Sequence, residues 1–162
     1  MELVRYSETR FASKILMLRR YINVLRVLDR LVIDDVYTTW LGKQARDVKE
    51  RGAEIKRIIR DEDVTSAARV CLRVCEPVVR VLRMTDSKLG ATLGKVYAYM
   101  LQVDVHLRNP IEGLDEHIRK KIHNIFMARW TYMHVPVMTA AFRFDPEFCS
   151  RDFDSEETAD VK

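Results

Sequence analysis

Turn-forming residues are scarce in this chain, with five glycines and four prolines among 162 residues. An all-β sandwich or barrel calls for turn signals every ~8–12 residues, and this scarcity argues against a turn-rich β architecture. Cysteine is also sparse. Its count is three, an odd number, and Cys71 and Cys75, four apart, have no further Cys or His beside them at ligand spacing. A disulfide framework and a structural zinc site are thereby excluded, and a reducing compartment fits best. No apolar run approaches the ~18 residues needed to cross a bilayer. The opening Met1-Glu2-Leu3-Val4-Arg5 lacks the basic-then-apolar order of a secretory signal. No membrane partner is expected, and the expected location is the nucleus, with the cytoplasm as the alternative.

Against these absences stand 48% apolar and 32% charged residues. That balance gives one ordinary domain a real core and favours long helices with solvated faces. The net charge of +4 is unevenly spread. Residues 145–162 hold seven acidic and two basic side chains, and the remainder holds 26 basic and 17 acidic, a formal +9. A body this basic suits a polyanionic partner such as DNA, although a merely solvated basic surface reads the same way.

Periodicity predicts an all-α, irregular bundle of five to seven helices over residues 1–150, followed by a disordered acidic tail, 151–162. The first helix is expected to start after Ser7 or Thr9 and to reach Asp29 or Val32. Phe11, Ile15, Leu18, Ile22 and Leu25 form its apolar stripe, and Arg19, Arg26 and Arg30 share one flank. A second stretch, Asp34 to Arg60, has Val36, Trp40, Val48, Ile55, Ile58 and Ile59 as core candidates. Gly42 and Gly52 weaken it, and it can divide into two pieces.

A third helix is expected from Asp61-Glu62-Asp63 to about Met84, burying Val64, Ala68, Cys71, Cys75, Val78 and Leu82, with a kink or break at Pro77. Thr92 caps a fourth helix that carries Leu93, Val96, Tyr97, Met100 and Leu101 and ends before Asn109-Pro110. The fifth runs from about Leu114 to Met133, burying Ile118, Ile122, Ile125, Phe126, Trp130 and Met133. Pro136 separates it from a short last helix over 137–142.

Chemistry is hard to place on this pattern. Gly90 and Gly94 lack the strand and the Gly-Lys-Ser/Thr ending of a phosphate loop. His106, His117, His123 and His134 are scattered, the closest pair six apart, so two imidazoles do not share a helical face at ligand distance. Cys71 and Cys75 read as small core residues. The acidic groups Asp34-Asp35, Asp61 to Asp63 and Asp115-Glu116 each fall at a helix start, where free amides and the helix dipole account for them without a metal. No catalytic residue, metal or cofactor is expected.

Ordered motifs carry one resemblance. Glu8-Thr9-Arg10-Phe11-Ala12-Ser13-Lys14, Cys75-Glu76-Pro77 through Val81-Leu82-Arg83 with Asp86, Leu93-Gly94-Lys95-Val96-Tyr97, Arg129-Trp130 with Pro136, and Phe144-Asp145-Pro146-Glu147-Phe148 follow one another at spacings similar to those of hAT-family DNA transposases. The likeness is strongest to the plant-type members and their domesticated relatives. It implies the helical region inserted into an RNase H-like catalytic fold between the second and third metal-binding carboxylates.

By the same resemblance the first two catalytic aspartates would precede Met1, and the third carboxylate and the zinc-binding DNA module have no counterpart here. The implied function is a non-catalytic fragment with residual DNA binding. Its alternative is a helical interaction module that self-associates or meets a transposase-like partner. Phe11 stands where the family places an aromatic that stacks on a flipped base, while periodicity places it in the apolar stripe. Arg10, beside it, can neutralise a phosphate or solvate the helix start. Val64-Thr65 departs from the Phe-Trp found in many relatives. The DNA-contacting set implied is Arg10, Phe11, Arg19, Arg26 and Arg30.

Overall fold

The computed structural model describes residues 3, 12–87 and 91–149. Among the described residues there are seven α-helices and no strand. They are α1 (Ser13–Ile33), α2 (Asp35–Gly42), α3 (Arg46–Ile59), α4 (Glu62–Thr85), α5 (Leu93–Arg108), α6 (Glu116–Met133) and α7 (Pro136–Phe144). The predicted all-helical class therefore holds. The acidic tail and the proposed caps Ser7 and Thr9 lie outside the described residues. Ala12 has a left-handed φ of 59°, and α1 begins at Ser13 beside it.

The chain forms two compact units, Met1–Cys75 and Glu76–Lys162. In the first, α1, α2 and α3 pack on one another. The predicted second stretch divides into α2 and α3 at Gly42–Ala45, and Asp34 starts α2 by accepting from the amides of Val36 (2.9 Å) and Tyr37 (3.3 Å). The core differs from the expected stripe. Val24, Val32 and Ile59 are buried, while Ile15, Leu18, Ile22 and Leu25 are only half-buried, and Val36, Trp40, Ile55 and Ile58 are exposed. Apolar residues lie on more than one side of these helices, so spacing alone could not pick the buried line.

The division between units falls within α4, which passes Pro77 without interruption. Of the kink or break expected there, the break is absent, although Pro77 has no N–H to donate to the carbonyl four residues earlier. Ala68, Leu72, Val79 and Val81 are its buried residues; Val64 and Val78, expected inside, are exposed. The sets 64-68-71-75-78-82 and 68-72-79 both fit a helical period, and both are apolar.

In the second unit α5 packs against α6 and α7. Its core is Tyr97, Ala98, Trp130, Met138, Phe142 and Phe148. Tyr97 sits at the centre, with ring centroids 5.9 Å from Trp130, 5.5 Å from His134 and 5.2 Å from Phe142. Aromatic pairs at such distances add to what buried area alone contributes. Gly94 permits the close approach of α5 to α7, since a β-carbon there would lie 2.8 Å from the Ala141 carbonyl oxygen. Thr92 caps α5 as predicted, accepting from the Lys95 amide. Past α7, Asp145 accepts from Thr92 Oγ1 at 3.0 Å and Glu147 pairs with Lys95 at 2.8 Å. Phe148 then closes on Phe142 with ring centroids 5.0 Å apart.

On α6 three expected core residues are exposed: Ile118, Ile125 and Met133. The buried side is set by Trp130 and Arg119, with Ile122, Phe126 and Met127 half-buried.

Candidate nucleic-acid interface

The 3.6-residue period of α1 places Arg19, Arg26 and Arg30 within about 40° of one another around the axis, over a rise of ~16 Å. Arg26 and Arg30 are exposed and Arg19 is half-buried. Asn23, also exposed, lies on the same side. Asp29, the single carboxylate of α1, lies about 60° from Arg26 around the axis and approaches Arg60 at 3.7 Å. Arg26 and Arg30 present their cationic heads to solvent along this row. A duplex offers one phosphate charge per ~1.7 Å of axis, so a row of this length meets several. Arg10 and Phe11 lie outside the described residues.

The acidic groups that could have suggested metal chemistry act as helix caps. Asp34 does so on α2, as described. Asp61 accepts from the amides of Asp63 (3.0 Å) and Val64 (3.1 Å), and Asp115 from those of His117 (2.9 Å) and Ile118 (3.1 Å). Each satisfies amides that the helix itself leaves open. Among the described residues no three His, Cys, Asp or Glu side chains gather as a metal site would require. No helix among them is long and apolar enough to cross a membrane.

One polar constellation escaped sequence reasoning. Asp104, buried on α5, accepts from Arg108 one turn later and from His123 Nε2 on α6 at 2.6 Å. Nearby, buried Arg119 donates through Nη1 to the carbonyls of Leu107 (2.6 Å) and Arg108, capping the C-terminal end of α5. Its Nε and Nη2 hold Glu116 at 2.9 and 2.8 Å. Only the Asp104–Arg108 spacing was visible in the sequence; His123 and Arg119 come from another helix.

The cluster clasps α5 to α6. The hydrogen bonds of Asp104 and His123 reach Arg108 and each other, not a serine or cysteine, so a nucleophile has no base here. His134 bonds instead with Thr139 Oγ1 at 2.9 Å. Cys75 lies against Cys71, and burial, reinforced by that neighbour, pushes its thiol up to about 11. A thiol so shifted is a poor nucleophile.

No family model, curated protein or solved structure matches this chain.

Proposed function

We propose that these residues form a hAT-transposase-like helical domain that contacts DNA through the arginine row of α1 and performs no strand chemistry of its own. The observation that carries the reading is the row itself: two exposed arginines and a half-buried third on one flank, with the helix's only carboxylate paired to Arg60 at the C-terminal end of α3. Such a row positions a protein on phosphates without reading bases. The capping role of Asp34, Asp61 and Asp115 supports the non-catalytic half of the reading. A nuclear location accords with both halves.

The test is a titration of the chain against duplex DNA at rising salt. Counterion release requires the logarithm of affinity to fall steeply with the logarithm of salt concentration. Absence of binding at low salt removes the DNA reading. Strand cleavage with magnesium or manganese that is lost on mutating the chain's own carboxylates removes the non-catalytic one.

A second reading, a helical interaction module descended from a domesticated transposase, is favoured by one specific observation. Ile118, Ile125 and Tyr132 of α6 are 49, 66 and 85% exposed, and large apolar side chains aligned on one helix mark contact surfaces. Concentration-dependent association in sedimentation without DNA affinity is the result that would favour it.

A further inference from the structure

The solvent face of α6 combines apolar and cationic groups in a regular order. Ile118, Ile125 and Tyr132 recur every seven residues, and Lys121, Ala128 and Arg129 fill the intervening turns of the same face. All six are exposed. The only carboxylate of α6, Glu116, lies on the opposite side, where Arg119 and Lys120 hold it.

This pattern restricts what can cover the face. A second copy docked antiparallel about Ile125 would set Lys121 against the partner's Arg129 twice. Docked parallel, it would set each cation against its own twin. Either arrangement buries like charges opposite one another, which costs specificity and affinity. The occupant therefore has to bring carboxylates.

Residues 150–162 bring five: Asp152, Asp154, Glu156, Glu157 and Asp160, against Arg151 and Lys162. They follow Phe148, which is anchored in the same unit as α6. Ring contacts of 5.0, 5.2 and 5.9 Å lead from Phe148 through Phe142 and Tyr97 to Trp130 on the inner side of α6. From there half the circumference of one helix is ~17 Å. Measured from Phe148, an extended chain reaches up to ~28 Å at Glu156 and ~42 Å at Asp160, and the lengths of the Glu, Lys and Arg side chains bring these carboxylates within reach of Lys121 and Arg129. We infer that the acidic C-terminal segment of this chain docks on the cationic, apolar face of α6 and shields it. Covalent linkage gives such a contact a high effective concentration, so weak pairwise attractions suffice.

This inference rests on the interaction reading of α6 and is independent of the arginine row on α1. It is tested by zero-length carbodiimide cross-linking of the full chain at low concentration, followed by peptide mass spectrometry of the monomeric band. Lys120 is the internal control, since it is exposed on the opposite side of the same helix. Docking predicts links from Lys121 to Glu156, Glu157 or Asp160 in about tenfold excess over those from Lys120, suppressed at high salt. The full-chain variant E156Q/E157Q/D160N should shift the NMR signals of Ile125 and Tyr132 and leave Tyr97 unmoved.

Equal linking of the two lysines, no links, or links confined to a dimeric band overturn the proposal. Sedimentation of the same samples separates the two levels. Association with itself or with an added acidic helical peptide, without intrachain links, removes only the tail. Neither links nor association removes the interaction reading of α6 as well.

Discussion

Glu116 accepts from two nitrogens of the Arg119 guanidinium, and this contact holds its carboxyl near 2, below the ordinary 4.5. A carboxyl depressed by folding stabilises the native state at any pH above its unfolded value, and that contribution fades as pH falls from about 4.5 towards 2. Urea midpoints for the wild type and Glu116→Gln should therefore differ most near neutrality and converge through this acid range. Cys75 shifts the other way. With its thiol pushed from 9.0 to about 11, its thiolate population in mildly alkaline solution falls about 100-fold. Timed alkylation at pH 8 should label exposed Cys149 well before Cys75, and denaturant should abolish the difference. At this scale the sequence was informative for local contacts: Asp34, Asp61, Asp115 and Thr92 act where the dipole and free amides of a helix start had placed them. It was silent on Arg119, whose carbonyl partners belong to α5 and lie 12 and 11 residues away.

Gly94 and Gly42 show how alike two helical glycines are in sequence and how different in packing. A β-carbon at Gly94 would meet the α7 backbone at 2.8–3.0 Å, which cannot yield as a side-chain tip can, whereas nothing lies within 4 Å of one at Gly42. Gly94→Ala should destabilise by about 1–3 kcal/mol. Gly42→Ala should be neutral or stabilise by about 0.4–1 kcal/mol through the unfolded chain. Thermal unfolding of the two variants checks both signs. The motifs Leu93-Gly94-Lys95-Val96-Tyr97, Arg129-Trp130 and Asp145-Pro146-Glu147-Phe148 meet in this packing: Gly94 admits α7, Lys95 holds Glu147, and Tyr97, Trp130 and Phe148 enter the core. Helix starts were legible where a side chain caps them, at Asp34, Thr92 and Asp115, whereas Pro77 did not end α4. Helix faces were legible only where one side alone is apolar. On α4 and α6 two sides qualify, so Val79 replaced Val78 in the interior and Ile125 was left in solvent.

At the scale of the whole chain, charge carries the functional account. A formal +9 over the residues before position 145 becomes useful to a polyanion only where the cations are aligned and exposed, as Arg26 and Arg30 of α1 are. Periodicity gave an all-helical chain of five to seven helices in the order found among the described residues; the two compact units could not be read, because the division falls inside the continuous helix α4. The most direct test compares the salt dependence of DNA affinity in the wild type and in Arg26→Gln/Arg30→Gln. If both arginines rest on phosphates, the slope of log affinity against log salt should become shallower by about 1.8 in the double variant, with helical content unchanged. An identical slope in the two proteins would contradict the placement of DNA on α1.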